Sequence, residues 1–354
     1  MNAYKHKLPR RRCLLLFLVL MILPLAGCAR MNQAEDTELI LGTIVNTRIY
    51  GKMSRERLDE AVAAAMDRAR SLEQIFSVNI ECSEINYVNQ NAATAPVPVS
   101  KDLFTVMERA LYYASLSDGA FDPTLGRLIA LWGIGTEQAH VPDGEEIAAL
   151  AGKKNYENVV LDAANRTIYF KTNDFSLDLG AIAKGYVADE MKRLLVEDYE
   201  ITSALLNLGG NVITIGSKTD GSDWTLGIAD PKNPEDTKNP AVLLKISGQT
   251  LVTSGNYQRY YEAPDGTRYH HILDGSTGYP AKSGTVSATI ITGCSMDADA
   301  LSTAVYVLGP EKGAALIETL ENTEAVFIDD NGNVTATSGI HDKLHEGSLT
   351  LKEN

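Results

Sequence analysis

The apolar residues of the chain recur with two different periods, and each period predicts one type of element. Helical spacing predicts amphipathic helices over Ser54–Phe76, about Lys101–Leu116, about Ala181–Val196, about Met296–Leu308 and about Pro310–Leu320. Ser100 is expected to cap the second of these helices, because a Ser directly before an apolar-periodic run accepts hydrogen bonds from the first free N–H groups. A Pro- and Asn-rich connector, Asn86–Pro98, separates the first two helices.

Short apolar runs broken by turn residues predict strands, most of them in the second half of the chain. The expected strands are Leu39–Tyr50, Val159–Leu161, Thr167–Phe170, Phe175–Leu179, Ser203–Leu208, Val212–Ser217, Thr225–Ala229, Val242–Ile246, Thr250–Ser254 and Thr285–Thr292. Hairpins are expected to turn at Pro264–Gly266 and Asn331–Asn333. This mixture predicts an α+β fold, one compact domain with a largely antiparallel mixed sheet flanked by helices, over a doubly wound parallel sheet.

The N-terminal segment has the anatomy of an export signal. A basic stretch ending at Arg12 is followed by eleven apolar residues, Cys13–Leu23, fewer than the ~20 needed to span a bilayer. Leu25-Ala26-Gly27-Cys28 resembles the bacterial lipobox; the alternative is an ordinary signal peptide with a chance Cys. We therefore expect a lipoprotein signal peptide over 1–27, lipidation at Cys28, a polar tether over 28–38 and the folded domain over 39–354. This predicts a protein anchored to the extracytoplasmic side of the cell membrane.

Charge excludes one large class of partner. The chain has 32 Lys and Arg against 46 Asp and Glu, a net charge of −14. Residues 1–27 hold five basic side chains and no acidic one, so the remainder carries 27 − 46 = −19. Such an acidic body argues against a nucleic-acid partner. Outside the N-terminal segment only Cys82 and Cys294 remain, and they are either one disulfide or two free thiols.

Two motifs could together handle a phosphate and a metal. Asp299 and Thr303 are four residues apart in a predicted helix, so their oxygens share one face and could bind a hard cation such as Mg²⁺. Taken alone, such a pair is more often a solvated face or a local hydrogen bond. Leu177–Tyr186 indicates a strand, a glycine turn and a helix start, a place where phosphate is favoured and Lys184 could neutralise it. A plain connection with a surface Lys is the commoner meaning of one glycine turn.

Two further sites remain open on the residues alone. Gly209 and Gly210 allow close backbone approach to a ligand or form a tight hairpin turn, and we rate the two equally. His270 and His271 are adjacent in a predicted strand, so at most one faces a given site. That one is either a proton acceptor for an attacking hydroxyl or a half-buried, hydrogen-bonded imidazole.

Several segments, taken together and in order, resemble one family. They are the lipoprotein start, Leu41–Thr43, Asp118–Thr124, Asp178–Tyr186, Asn207–Asn211, Thr253–Gly255, His271–Pro280 and Asp299–Ala304. The chain is similar in these segments to the FAD:protein FMN transferases, the ApbE-type flavin transferases. The resemblance implies a Mg²⁺-dependent enzyme that binds FAD, transfers FMN to a Ser or Thr hydroxyl of an acceptor as a phosphoester, and releases AMP. The implied acceptors are extracytoplasmic flavoproteins of membrane redox complexes.

The resemblance also implies roles for individual residues. It places Mg²⁺ on the backbone carbonyl of Ala181 and the side chains of Asp299 and Thr303, with Ser302 close by. It makes His271 the base that activates the acceptor hydroxyl, with Asp299 also catalytic. The implied FAD contacts are Leu41, Asn79, Ala120, Phe121, Asp122, Asp178, Lys184, His271 and Leu273.

The chain departs from the family pattern in two places. Leu41 stands where many members have Met, a near-isosteric change. Where many members have an aromatic residue after the Phe-Ser pair, Phe76-Ser77 is followed here by Val78 and Asn79. A weaker grip on FAD would admit water, so FAD pyrophosphatase activity, giving FMN and AMP, is the alternative. A lipoprotein that only binds flavin is the third hypothesis.

Overall fold

The computed structural model describes residues 31–345. Its helices are α1 (Arg55–Phe76), α2 (Glu84–Asn91), α3 (Lys101–Leu116), α4 (Gly126–Trp132), α5 (Gly144–Leu150), α6 (Ala183–Glu197), α7 (Ser295–Leu308) and α8 (Pro310–Ile317), with short 3₁₀ turns at Asn155–Asn158 and Ser338–Lys343. Its strands are β1 (Asn32–Ile40), β2 (Thr43–Gly51), β3 (Val97–Pro98), β4 (Val159–Asp162), β5 (Thr167–Phe170), β6 (Ser203–Leu208), β7 (Asn211–Ile215), β8 (Trp224–Ile228), β9 (Val242–Ile246), β10 (Thr250–Gly255), β11 (Tyr260–Glu262), β12 (Arg268–His270), β13 (Thr285–Thr292), β14 (Glu324–Asp329) and β15 (Val334–Ala336).

One sheet organises the fold. Eight strands pair in the order β1-β2-β6-β7-β10-β13-β14-β15, and every neighbouring pair is antiparallel. Three small sheets (β3-β5-β4, β8-β9 and β11-β12) lie outside it. The predicted α+β fold with a largely antiparallel sheet is confirmed.

The two faces of this sheet belong to different cores because neighbouring residues of a strand point to opposite sides. Val252 of β10 and Ile290 of β13 belong to the large core on the helical side, which includes Leu301 of α7. Leu251 and Ile291, one position away on each strand, belong to a smaller core that β8 and β9 cover. The helical side carries the candidate site.

The long helices begin where the sequence predicts. The Ser54 side chain accepts a hydrogen bond from the Arg57 N–H at 3.3 Å before α1, and the Ser100 side chain accepts from the Leu103 N–H at 3.1 Å before α3. The hairpins at Pro264–Gly266 and Asn331–Asn333 are also confirmed, as β11-β12 and β14-β15.

The predicted tether over 28–38 is wrong in its second part. Residues 32–40 form strand β1, which pairs with β2 along its whole length. Its sequence gives no strand pattern, because only Ala34 and Ile40 are buried apolar residues, four polar residues follow Ala34, and the apolar Leu39 points to solvent. The predicted single strand Leu39–Tyr50 is instead a hairpin that turns at Leu41 and Gly42, both with positive φ (55° and 65°).

Three further predictions need correction. The connector Asn86–Pro98 contains most of α2 and the short strand β3. Phe175–Leu179 is not a strand, since only Ser176 forms an isolated bridge, to Leu125. Helices α4 and α5, seven residues each, were not predicted.

Cys82 and Cys294 are both free thiols, so the alternative without a disulfide holds. The predicted signal peptide over 1–27 and the lipidation site Cys28 lie outside the described residues. Within residues 31–345, no helix has the length and apolar character that crossing a membrane requires.

Candidate functional site

The site forms where the first turn of α6 meets the first half of α7. A Cβ on Gly185 would lie 2.2 Å from the Ser295 carbonyl oxygen and 2.6 Å from the Met296 Cα, so only glycine allows this approach. The two helices therefore pack backbone to backbone, which brings the Gly185 N–H within hydrogen-bonding distance of the Asp299 side chain, 114 residues away in the sequence.

Asp299 is the centre of the site. Asp299 is only 4% exposed, and a carboxylate buried to this extent is costly unless it has partners. One carboxylate oxygen accepts a hydrogen bond from the Gly185 N–H at 3.0 Å, and the other lies 3.3 Å from the Lys184 ammonium. Lys184 also donates to the Gly180 carbonyl at 2.8 Å. The buried Asp299 carboxylate thus holds the Lys184 ammonium at the start of α6.

Hydroxyl groups extend the site along α7. Ser302 Oγ donates to the Asp299 carbonyl at 2.9 Å and lies 2.9 Å from Ser254 Oγ of β10. Ser254 Oγ is also 3.4 Å from Thr303 Oγ1. Ser302 is fully buried, whereas Thr303 is partly exposed. The predicted Asp299–Thr303 pair therefore does share one helix face, and β10 supplies a hydroxyl that the pair alone does not reveal.

The donor set suits Mg²⁺. Asp299, Thr303 and the backbone carbonyl of Ala181 offer only oxygen, and a hard cation of this kind prefers oxygen and keeps open positions for water or substrate phosphates. In the described part of the chain, no three His, Cys, Asp or Glu side chains come together as a metal-binding group. A metal here would be held by one carboxylate and neutral oxygens.

The segment before α6 is a turn rather than a strand. The Asp178 carboxylate accepts from the Gly180 N–H at 2.8 Å, and the Asp178 N–H donates to the Pro123 carbonyl at 2.9 Å. Burial raises the pKa of Asp178. The contact to Pro123 joins this turn to the predicted FAD segment Ala120–Asp122.

That segment is held by its neighbours. The Phe121 N–H donates to Ser117 Oγ at 3.0 Å, and the Phe121 ring is buried. Asp122 accepts from the Thr124 N–H at 2.7 Å, and burial raises the pKa of Asp122 to about 6. Ala120 is partly exposed and so is accessible to a ligand.

His270 ends β12 and His271 lies just beyond it, so the predicted strand stops between the two histidines, whose rings have different partners. His270 Nε2 lies 3.1 Å from the Ala281 carbonyl, and its ring packs edge-on against Tyr306. His271 Nδ1 lies 3.1 Å from the Arg259 carbonyl, which can only accept, so Nδ1 carries the proton and Nε2 keeps a lone pair. Burial lowers the pKa of His271 to about 4, and the positive charges of Arg259 and Lys184 act in the same direction. His271 is therefore neutral at neutral pH.

The remaining predicted FAD contacts lie on three different elements. Leu41 sits in the β1-β2 turn, where its N–H donates to Glu73 of α1 at 2.6 Å. Asn79 is exposed in the turn that follows α1. Leu273 is buried in a small core with Trp132 and Ile147. The structure describes where these residues lie, and their roles toward FAD stay predictions.

Two positioning residues were missed by the sequence reasoning. Asp189 of α6 accepts from the N–H groups of Ser295 and Met296 at 2.9 and 2.8 Å, so it caps the helix that carries Asp299. Ser254 lies in the motif Thr253–Gly255, which does not reveal that its hydroxyl joins β10 to Ser302. No local pattern marks either contact, because each partner lies 48 or more residues away.

Known proteins share this architecture. A model of the ApbE family matches residues 41–327. A protein of Treponema pallidum named FAD:protein FMN transferase is 36% identical over 331 residues, 90% of each chain, and one of Klebsiella pneumoniae with the same name is 35% identical over 85% of this chain and 90% of its own.

Solved structures agree with the sequence comparisons. The ApbE protein of Thermotoga maritima superposes with a TM-score of 0.80 at 31% identity, over 89% of this chain and all of its own. The flavin transferase ApbE of Vibrio cholerae superposes with a TM-score of 0.77 at 26% identity, over 89% and 100%. The chain therefore belongs to the ApbE family.

Proposed function

We propose that this protein is an FAD:protein FMN transferase, which moves FMN from FAD to a Ser or Thr hydroxyl of an acceptor flavoprotein and releases AMP. The observation that carries the proposal is the buried Asp299 carboxylate, which the Gly185 N–H and Lys184 hold at the start of α6. A pyrophosphate group approaching this point meets a cation and a helix N-terminus. The names of the relatives supply the reaction.

In the proposed reaction, the acceptor hydroxyl oxygen attacks the phosphorus of the FMN half of FAD. A new P–O bond forms, and the P–O bond to the AMP half breaks, so that AMP leaves with the bridging oxygen. The hydroxyl proton passes to Nε2 of His271. This nitrogen keeps its lone pair because Nδ1 carries the ring proton and donates it to the Arg259 carbonyl. The low pKa of His271 keeps this nitrogen unprotonated, which is the state that a base needs.

We propose that Asp299, Thr303 and the Ala181 carbonyl hold Mg²⁺, with Ser302 fixing the helix around them. Mg²⁺ at this point would neutralise charge that builds up on the phosphate oxygens. Lys184 serves the same purpose from α6, and its bond to the Gly180 carbonyl fixes its direction. Attack on a pyrophosphate needs such electrostatic help more than a covalent intermediate.

We propose further that Cys28 carries lipid and holds the enzyme at the extracytoplasmic face of the cell membrane, where flavoproteins of redox complexes would be its acceptors. The first strand supports a short link, since β1 begins at Asn32, four residues after Cys28. Intact-mass measurement of the protein from membranes tests this, because Cys28→Ser should abolish the lipid adduct. A protein that stays in the membrane unmodified would contradict the proposal.

FAD pyrophosphatase activity is the second candidate. It is favoured by the exposed Val78 and Asn79 after α1, where many family members place an aromatic residue. An open site would let water compete with the acceptor. AMP release from FAD without acceptor would support this activity, and strict acceptor dependence would exclude it.

The decisive experiment uses the full chain purified in detergent, FAD, Mg²⁺ and an apo flavoprotein domain from a membrane redox complex. The acceptor should gain the mass of one FMN moiety, and Asp299→Ala should abolish the gain. Asp198→Ala, an exposed Asp directly after α6, is the matched control and should keep activity. An acceptor that stays unmodified with the wild-type enzyme would overturn the proposed function.

A further inference from the structure

A cavity of about 410 Å³ opens beside the first residues of β7, on the sheet face opposite to α7. The turn between β6 and β7 forms one side through Gly210, and Gly227 of β8 forms another together with Ala229, which follows that strand. Its lining also includes Leu251, Thr253, Tyr257 and Gln258. None of these residues is among the predicted contacts of FAD or Mg²⁺.

The backbone of β10 has an open edge along this cavity. Gln249 accepts a hydrogen bond from the Thr214 N–H of β7 at 2.9 Å, and every second residue of a strand directs its N–H and C=O to the same side. The backbone N–H and C=O groups of Leu251, Thr253 and Gly255 therefore point toward the β7 side. The Asn256 N–H donates to the carbonyl of Val286 in β13, so the backbone groups of the even-numbered positions face the other way.

Strand β7 is too short to cover that edge. It begins at Asn211, which lies opposite Val252. The next position, Gly210, donates its N–H to Asn207 Oδ1 at 3.1 Å instead of to β10. Among residues 31–345, no backbone group pairs with Thr253 or Gly255 on this side. Two N–H groups and two carbonyls thus lack a backbone partner on this side; Thr253 is partly exposed, whereas Gly255 is buried beside the Tyr257 ring, which a docking strand would have to displace.

The open edge also lies beside the candidate site. Ser254, between the two open positions, points to the opposite face and contacts Ser302 and Thr303. Asn211 lies on that same face, since its partners Val252 and Leu208 belong to the helical core. Asn211 is 2% exposed, and its Nδ2 is buried without a hydrogen-bond partner.

We propose that the acceptor protein docks here as an added strand, with its modified Ser or Thr on the helical face and its two neighbouring side chains in the cavity. The inference rests on the proposed function and names how its partner is held. Alternation along the strand explains the arrangement: a hydroxyl beside Asn211 and Ser254 points to Thr303 and Asp299, while the residues before and after it point away. The Asn211 amide would then gain the acceptor that it lacks.

Thr253→Pro tests the open edge. Proline removes the N–H that faces the β7 side and is tolerated where a strand lacks a neighbour. We expect the KM for the acceptor to rise about tenfold or more, the effect of losing one or two backbone hydrogen bonds, while the KM for FAD stays within a factor of about two. Thr37→Pro, on the outer edge of β1, is the matched control and should leave both constants unchanged.

Two further variants keep the test decisive. Thr253→Pro also breaks the 2.8 Å contact between the hydroxyls of Thr253 and Thr289, so Thr289→Val serves to measure that loss alone. Ala229→Trp fills the cavity from the side opposite to β10, keeps the N–H of Thr253, and should raise the KM for the acceptor in the same way. Hydrogen exchange offers a direct view, since an acceptor whose target hydroxyl is replaced by Ala should protect the amides of Thr253 and Gly255.

The outcomes separate the two proposals. If the wild-type enzyme modifies no acceptor, the proposed function fails. If it modifies the acceptor while Thr253→Pro and Ala229→Trp both keep the wild-type KM for that acceptor, only the docking mode is overturned. The same holds if Thr253 and Gly255 exchange at equal rates with and without the acceptor.

Discussion

Gly185→Ala should separate the two helices that build the site. The added Cβ would lie 2.2 Å from the Ser295 carbonyl oxygen, more than 1 Å short of ordinary contact, and both obstacles are backbone atoms that cannot rotate away. Helix α6 must therefore move away from α7 by roughly 1 Å. That movement stretches the 3.0 Å bond from the Gly185 N–H to Asp299 and the 3.3 Å contact from Lys184.

Two effects of opposite sign set the magnitude. Alanine stabilises a helix interior by about 1 kcal/mol relative to glycine. Overpacking costs about 1–3 kcal/mol, and weakening a hydrogen bond to a buried carboxylate adds about 1.5–3 kcal/mol. The penalties are larger, so we expect the free energy of unfolding to fall by about 2–4 kcal/mol. A displacement of about 1 Å at a catalytic group should lower kcat by about two orders of magnitude.

Urea unfolding followed by tryptophan fluorescence and a single-turnover assay of FMN transfer together test this prediction. Gly144→Ala is the matched control, because a Cβ there meets only the Tyr279 hydroxyl at 4.0 Å. It should keep activity and lose no stability. A Gly185→Ala enzyme with wild-type kcat and wild-type stability would refute the claim that backbone contact between α6 and α7 positions Asp299.

Three further predictions concern neighbouring residues. If His271 is the base, kcat/KM for FAD should stay level as pH falls from 8 to about 5 and halve near pH 4, whereas an ordinary His would titrate near 6.5; a midpoint there would exclude the environment described. Burial raises the pKa of Asp122 to about 6, so the protonated carboxyl stabilises the folded protein below pH 4. This contribution to the free energy of unfolding is lost as pH rises through 6. Asp122→Asn should therefore gain about 1–2 kcal/mol over the wild type at pH 8 and nothing at pH 4 in urea unfolding, and an equal difference at both pH values would contradict this. Asp189→Ala should unfold at lower urea with a loss of about 1–2 kcal/mol, since two N–H groups at the start of α7 lose their cap, and unchanged stability would count against that role.

The sequence predicts those elements whose side chains report a single periodic environment. Helix α1 presents one apolar stripe to the core over 22 residues, and a Ser cap marks its start, so its bounds could be predicted to within a residue. Strand β1 has the opposite character, because it is an edge strand with solvent on one side and its polar residues alternate with few apolar ones. Helices α4 and α5 are two turns long, which is too short for a period to emerge.

The candidate site divides in the same way. Asp299 and Thr303 could be paired from the sequence, since four residues of helix bring their side chains together whatever the rest of the chain does. The contacts to Gly185, Asp189 and Ser254 depend on how α6, α7 and β10 pack, and no local spacing encodes that. Family motifs supplied the missing information because they mark several distant segments at once.

Charge explains why the site must be assembled from distant parts. The body that follows residue 27 carries a net charge of −19, yet the reaction requires a dianionic pyrophosphate to approach a buried carboxylate. The field must therefore be reversed locally, and at the start of α6 two contributions do this, the Lys184 ammonium and the helix dipole, to which the proposed Mg²⁺ would add a third. Only the Lys184 ammonium and the helix dipole belong to the chain. If they suffice to bind FAD but not to transfer FMN, removal of Mg²⁺ with a chelator should abolish turnover and leave measurable FAD binding, and loss of both would assign the cation a part in binding as well.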